Sequence, residues 1–164
     1  MTAATKHAPA AKATVTQMSD RLVHIERVFN ASRDRVWEAL TKPELVAQWW
    51  GRGNKLDVQR LEVERGGHWR FVEHSEHGQH GFEGRFAEVT PPSKLVYSFE
   101  WDGMPAHVVL ETITLDDIGD GRTRMTTDSL FLAAEDCAAY TNAGAETGMN
   151  QSYAALDRLL ATGW

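Results

Sequence analysis

The sequence predicts an α+β fold: a curved antiparallel sheet of about seven strands, in the element order β-α-α-β6-α, wrapped around a long C-terminal helix. The apolar residues of one stretch near the C-terminus recur at helical spacings and so share one face: Met149, Tyr153, Leu156 and Leu160. The preceding residues 55–131 read almost throughout as short strands joined by turns. An amphipathic helix must bury its apolar face, and this sheet is the surface available to it.

One strand and two short helices are predicted before the main run of strands. Arg21–Phe29 alternates between apolar and polar residues, with Arg27 as a charged exception on the apolar side. Ser32 is suited to cap a helix over Arg33–Thr41. Pro43, favoured in a first helical turn, opens a second helix that ends at Trp49.

The sheet is predicted to continue as an antiparallel meander, because six strand candidates follow one another through tight links. The candidates are Lys55–Glu64, His68–His74, a strand containing Phe82, Gly84 and Phe86, then Leu95–Trp101, His107–Asp117 and Arg122–Phe131. Ala133–Tyr140 reads as a short helix, and Gly144 and Gly148 lie early in the final helix or between two helices.

Length, charge and cysteine content narrow the class of protein. The 164 residues suit one domain over residues 19–164, preceded by a flexible arm over residues 1–18. Seventeen basic against 23 acidic residues give a net charge of −6, which disfavours nucleic acid as a partner. No apolar run approaches the ~18 residues of a membrane span. The single cysteine, Cys137, fits a reducing compartment, so we expect a cytoplasmic protein.

Four segments resemble one known family and occur in that family's order. They are RVFNASRDRVWEALTKPELVAQWWG at 27–51, RGGHWRF at 65–71, FEGRFAEVTPPSKLVYSFEW at 82–101 and GMNQSYAALDRLL at 148–160. On these residues the chain resembles the SRPBCC superfamily, also called START-like or Bet v 1-like. Within it, the chain is similar to the bacterial activator of Hsp90 ATPase homologue 1-like proteins. The resemblance implies a helix-grip fold over roughly residues 20–162.

The resemblance leaves the activity open, because this fold is shared by polyketide cyclases, plant hormone-binding proteins and lipid-transfer domains. The eukaryotic namesake acts on a chaperone through an additional N-terminal domain. Only the eighteen-residue arm stands in that place here, so a chaperone partner is not the leading expectation. The resemblance also allows a homodimer through a sheet edge or the Trp-bearing helices.

Two residues are the candidates for polar chemistry in a pocket between sheet and helix. Glu111 interrupts an apolar strand face, and a carboxylate that faces inward needs a partner or a raised pKa. His107 shares its phase, so both side chains are expected to converge on one ligand. The alternative is a twisted strand with Val108 and Leu110 inward and Glu111 in water.

The leading hypothesis is a binding module for a small hydrophobic or aromatic molecule, with no obligatory cofactor. Trp50 is either part of the pocket mouth or, like Trp49, a hydrophobic plug. The predicted ligand-binding residues are Trp50, Trp69, Phe71, Phe82, Phe86, Tyr97, Phe99, His107, Glu111, Met125, Met149 and Tyr153. The alternatives are a cyclase- or hydrolase-type enzyme using Glu111 or His107 as general acid or base, and a chaperone-related interaction domain.

A His-rich turn is the one candidate for metal binding. His74, His77 and His80 occur at every third residue, and imidazoles at that density can bind zinc or nickel. No cysteine or carboxylate motif of matching spacing accompanies them, so histidines that simply meet water are the preferred interpretation and no metal site is predicted. Phosphate-binding, nucleophile-elbow and dinucleotide-binding motifs do not occur in the sequence.

Overall fold

An eight-stranded antiparallel sheet and four helices make up the computed structural model, which describes residues 12–164. The strands are β1 Thr14–Gln17, β2 Leu22–Phe29, β3 Lys55–Leu61, β4 His68–Ser75, β5 Gly78–Thr90, β6 Lys94–Trp101, β7 Val109–Gly119 and β8 Arg122–Phe131. The helices are α1 Arg33–Thr41, α2 Pro43–Trp49, α3 Ala134–Asn142 and α4 Ala145–Leu160. The α+β class, the curved sheet and the long C-terminal helix are as the sequence predicts.

The strand order is β1-β2-β8-β7-β6-β5-β4-β3, and every neighbouring pair is antiparallel. The predicted meander therefore runs from β3 to β8. β2 joins it by pairing with β8, in the register Ile25↔Thr127. The sheet stays open, with β1 and β3 at its two edges.

The eighth strand is β1, which lies within the flexible arm predicted over residues 1–18. Thr14–Gln17 pair with β2, for example Val15 with Ile25, so this part of the arm belongs to the sheet. A four-residue strand has too short a pattern to be recognised alone, because its stability comes from the pairing. Residues 1–11 of the expected arm lie outside the described residues.

α1 and α2 close one end of the sheet, as their local signals predict. Ser32 Oγ accepts a hydrogen bond from the backbone N–H of Arg35 at 3.4 Å and so caps α1. Pro43 stands in the first turn of α2, where a missing N–H costs nothing. The indole N–H of Trp49 donates to the carbonyl oxygen of Ala39 at 2.8 Å, which fixes α2 onto α1.

The chain breaks between α3 and α4 at Gly144, whose φ of 71° lies in the left-handed region that favours glycine. The predicted helix from Ala133 is α3, and Gly148 lies inside α4, one turn after the break. Of the predicted apolar face, Tyr153, Leu156 and Leu160 are buried. α4 therefore lies on the sheet with the face that its sequence period indicates.

An ion pair between a buried arginine, Arg27, and a partly exposed aspartate, Asp157, joins β2 to α4. The Asp157 carboxylate accepts hydrogen bonds from both terminal nitrogens of Arg27. Arg27 is only 6% exposed, and its guanidinium carbon lies 4.7 Å from the centre of the Phe29 ring. The partners are 130 residues apart in the chain, so no local pattern links them.

No helix within residues 12–164 combines the length and the apolar character that crossing a membrane requires.

Candidate functional site

A cavity of about 620 Å³ lies between the concave face of the sheet and helices α2, α3 and α4. Eleven of the twelve predicted ligand-binding residues line it: Trp50, Trp69, Phe71, Phe82, Phe86, Tyr97, Phe99, Glu111, Met125, Met149 and Tyr153. Ala143 and Gly144 also line the cavity while remaining exposed. The cavity therefore opens to solvent near the junction of α3 and α4.

Trp50 stands at the centre of the aromatic wall. It directly follows α2, and its ring makes edge-to-face contacts with Phe71 at 5.2 Å and Phe82 at 5.1 Å between ring centres. The rings of Trp69 and Phe99 lie 6.5 Å away. Such pairs stabilise a fixed arrangement by about 0.5–1.5 kcal/mol each beyond area burial. The wall is thus a connected set of rings from α2, β4, β5 and β6.

The Trp69 ring lies over Gly84 of the neighbouring strand β5, which has no side chain. Its indole N–H donates to the carbonyl oxygen of Ser98 at 3.1 Å. A Cβ on Gly84 would approach that carbonyl oxygen to 1.7 Å and the indole nitrogen to 2.7 Å. Gly84 is therefore the residue that lets the Trp69 ring lie flat against β5 and β6.

Glu111 faces the cavity from β7, which resolves the alternative strand phases of the sequence analysis. Its strand neighbours Val109 and Ile113 line the cavity with it. The Ser129 hydroxyl of β8 donates to Glu111 Oε2 at 2.6 Å. Burial raises the pKa of the Glu111 carboxyl to about 7, an effect that the Ser129 hydrogen bond opposes and the Asp128 charge reinforces. This group can take up or release a proton near neutral pH.

Three tyrosines surround Glu111 from the sheet and both C-terminal helices. Tyr97 is its cross-strand partner on β6, Tyr140 comes from α3 and Tyr153 from α4. Burial, and after it the Glu111 charge, raises the pKa of the Tyr97 and Tyr140 phenols. Burial raises the pKa of Tyr153 to about 12, although a hydrogen bond with Thr127 lowers it. All three hydroxyls therefore stay protonated at neutral pH.

Tyr140 was not among the predicted site residues. It follows the buried Cys137 by three positions on α3, a helical spacing that places both on one face. Its ring packs against Phe131 at 5.3 Å between centres. The three-residue spacing could have placed Tyr140 on the buried face of α3. The sequence of this short helix does not indicate which part of the sheet that face covers.

His107 does not line the cavity, which corrects the expectation that it converges with Glu111. β7 begins at Val109, because the chain turns before it and Ala106 adopts a φ of 70°. The His107 side chain is 48% exposed and its Nδ1 lies 2.8 Å from Asp136 Oδ1 on α3. The strand phase that linked His107 to Glu111 therefore does not extend back to residue 107.

A polar cluster at the cavity edge was not singled out from sequence. The Glu73 carboxylate is 1% exposed and accepts hydrogen bonds from Arg52 Nη2 at 2.8 Å and Asn54 Nδ2 at 2.9 Å. Arg52 is 45% exposed, and its side chain passes beside Gly148 of α4. Glu73 follows Trp69 and Phe71 in phase on β4, which was the available signal for an inward carboxylate.

The three histidines of the β4–β5 turn have separate partners. His74 Nε2 lies 2.7 Å from Asp57 Oδ2, His80 Nε2 lies 3.2 Å from the Ser75 hydroxyl, and the exposed His77 lies beside Glu76. Across residues 12–164, no group of three or more His, Cys, Asp or Glu side chains is arranged to hold a metal ion.

Solved bacterial structures share this fold. A crystal structure from Rhodobacter sphaeroides has a TM-score of 0.84 at 27% identity, covering 92% of this chain and 98% of that one. Protein Ms6760 from Mycobacterium smegmatis has a TM-score of 0.81 at 19% identity, covering 95% and 100%. A solution structure from Arthrobacter aurescens also reaches 0.81, at 23% identity, covering 90% and 91%. No protein of curated function matches the sequence significantly.

The family model described as Activator of Hsp90 ATPase homolog 1-like protein matches residues 30–161, which is most of the chain. Its range includes α1, α2, β3–β8, α3 and α4, and therefore nearly all of the cavity wall. The resemblance recognised in the sequence is thereby confirmed. The chain belongs to the Activator of Hsp90 ATPase homolog 1-like protein family.

Proposed function

We propose that the protein binds a small hydrophobic or aromatic molecule in the cavity between the sheet and α4, without an obligatory cofactor. The observation that carries this proposal is the composition of the cavity wall. About 620 Å³ of space is bounded mainly by aromatic and aliphatic side chains, and two carboxyl groups, Glu111 and the Arg52-paired Glu73, line it from the sheet. Ligand sites of small molecules combine this size with an apolar lining and a few polar groups.

The size of the cavity also supports ligand binding over a purely structural role for these residues. If the rings formed only a core, their side chains would fill the space at the packing density of protein interiors. Trp50, Trp69 and Tyr97 contact one another or neighbouring rings around the space instead of filling it. A chaperone-interaction domain has no need of such a cavity, so this alternative is less well supported.

Native mass spectrometry of gently purified protein, followed by organic extraction, tests the proposal first. A discrete small molecule that co-purifies would support binding and give its chemical class. A thermal-shift screen of hydrophobic and aromatic compounds extends the test to weak ligands. If no compound in a broad screen raises the melting temperature, the binding proposal is contradicted.

Two tryptophan variants assign binding to the cavity. Trp50 contacts four rings of the wall, whereas Trp164 lies outside the cavity, with its indole N–H donating to Glu38. We expect Trp50→Ala to weaken a hit from the screen by at least about tenfold, since a well-packed aromatic contact contributes more than about 1.4 kcal/mol. Trp164→Ala should leave the affinity unchanged. Equal effects of both variants would place the ligand elsewhere.

A second candidate function is proton transfer, favoured by the Glu111 pKa of about 7. A general acid or base is most effective when its pKa is close to the working pH. In an enzyme of cyclase or hydrolase type, Glu111 would exchange a proton with the bound molecule, and Glu111→Gln would lower turnover by about 10²-fold or more. In a binding protein the same variant changes only ligand preference. Either role is compatible with the cytoplasmic location that the single buried cysteine suggests.

A further inference from the structure

One oxygen of the Glu111 carboxyl accepts no hydrogen bond from the described part of the chain. Oε2 accepts from the Ser129 hydroxyl, but among residues 12–164 no donor reaches Oε1. Glu111 lines the cavity, and this oxygen is therefore available to whatever the cavity holds. A carboxylate oxygen in apolar surroundings is costly without a donor, so a bound molecule with an N–H or O–H group is favoured.

Among residues 12–164, no basic group balances the negative charge of Glu111. The groups that face it are the phenols of Tyr97, Tyr140 and Tyr153, and the Asp128 carboxylate adds repulsion. The positive charge of Arg27 on β2 lowers the pKa of Tyr153, but Arg27 is already paired with the Asp157 carboxylate.

The cavity wall itself also carries a basic group, and this group is already paired. Within the described part of the chain, Arg52 is the one basic residue that lines the cavity, and it is paired with Glu73. A neutral donor in the ligand would satisfy Oε1 without balancing the charge. A cationic donor does both.

Aromatic rings adjoin the carboxyl on the sheet. Tyr97, the cross-strand partner of Glu111, contacts Trp69 at 5.8 Å and Phe86 at 5.9 Å between ring centres. Tyr140 and Phe131 form a second pair on the other side. Ring faces attract cations, by about 2 kcal/mol or more where water is excluded. The net charge of −6 adds a general attraction for positively charged molecules.

We propose that the ligand is an organic cation, a hydrophobic molecule whose protonated amine donates to Glu111 Oε1 while its apolar body lies among the aromatic side chains. The inference rests on the proposed binding function and adds the chemical class of the ligand. It assigns to Glu111 the role of charge partner and to the rings around Tyr97 the role of cation-binding wall.

A matched series of three compounds tests the inference. 4-Butylbenzylamine carries a cationic donor, 4-butylbenzyl alcohol a neutral donor, and 4-butyltoluene no donor, on nearly the same apolar body. Isothermal titration at pH 8 should show the amine binding at least about tenfold more tightly than the alcohol. Equal or tighter binding of the alcohol or the hydrocarbon overturns the cation inference and leaves the binding function standing. If the amine does not bind, the cation inference is overturned, whereas the binding function is decided by the broad thermal-shift screen.

Two variants separate the Glu111 contact from general attraction. Glu111→Gln keeps the shape and should remove the preference for the amine while leaving the alcohol affinity within about threefold. Glu146→Gln removes an exposed carboxylate of α4 and should leave the preference unchanged. Loss of the preference in both variants alike would overturn the assignment to Glu111.

The pH dependence provides a further readout. An amine that pairs with ionised Glu111 should lose affinity as the pH falls below the carboxyl pKa of about 7, by close to tenfold per pH unit. The alcohol carries no charge, so its affinity should change far less between pH 8 and 6. A flat profile for the amine overturns the ion pair.

Discussion

The Ser129 hydroxyl donates a 2.6 Å hydrogen bond to Glu111 Oε2, between residues directly opposite each other on β8 and β7. Ser129 is 3% exposed, so this bond is formed inside the protein. It holds one carboxylate oxygen against the sheet and leaves the other toward the cavity. The polar chemistry of the proposed site depends on this arrangement.

Glu111 should make the protein less stable as the pH rises. Its folded-state pKa of about 7 lies above the ordinary value of 4.5. Its contribution to stability is therefore complete below about pH 4.5 and is lost as the pH rises through 7. The loss amounts to at most about 3 kcal/mol. Glu111→Gln should match the wild type near pH 5 and exceed it in stability at pH 8, measured by urea unfolding.

Hydrogen bonds to Asp128 and Glu26 raise the pKa of His24, so this residue also contributes to the pH dependence. Its contribution is common to both proteins, so the difference between variant and wild type isolates Glu111. A difference that stays constant from pH 5 to pH 8 would contradict the raised carboxyl pKa.

Substitutions of Arg27 and Asp157 should have strongly non-additive effects on the free energy of unfolding. Asp157→Ala leaves the buried guanidinium without its counter-charge, which we expect to cost about 3 kcal/mol of unfolding free energy. Arg27→Met in the same background should recover most of that loss, because the unpaired charge is gone. Denaturant unfolding of both single variants and the double variant measures the coupling. Additive effects would show that the pair does not hold α4 to β2.

Gly84 should not accept a side chain. Gly84→Ala places a methyl group against the Ser98 carbonyl and the Trp69 indole, and we expect a loss of at least about 2 kcal/mol. Gly163→Ala is the matched control, because a Cβ there meets nothing within 4 Å. Its effect should stay within about 0.5 kcal/mol. Equal melting temperatures for the two variants would contradict the position assigned to Trp69.

Arg52 should contribute more to the free energy of unfolding than an arginine that pairs with a carboxylate on the surface. Arg52→Met removes the charge partner of the buried Glu73, and we expect a loss of about 2 kcal/mol. Arg60 pairs with Glu62 at 2.6 Å on the surface, so Arg60→Met should cost less than about 1 kcal/mol. Adding Glu73→Gln to Arg52→Met should restore part of the stability. Indistinguishable unfolding curves for the two arginine variants would show that Glu73 does not depend on Arg52.

The sequence predicted those parts of the protein that depend on local periodicity. The alternation around Tyr97 and Phe99 placed both rings on the cavity side, and the same period placed Glu111 there. His107 was misplaced because the chain turns at Ala106, which has a positive φ, and β7 begins only at Val109. Contacts between distant segments, such as Arg27 with Asp157, left no local pattern to read.

The central claim, ligand binding in the cavity, is tested most directly through the methionine methyl groups. Met125 and Met149 line the cavity, whereas Met18 and Met104 are exposed at 59% and 42%. In protein labelled with ¹³C at the methionine methyls, titration with 4-butylbenzylamine should shift the Met125 and Met149 signals and leave those of Met18 and Met104 in place. Shifts confined to Met18 or Met104, or none at any methyl with this amine and every hit of the hydrophobic screen, would contradict it.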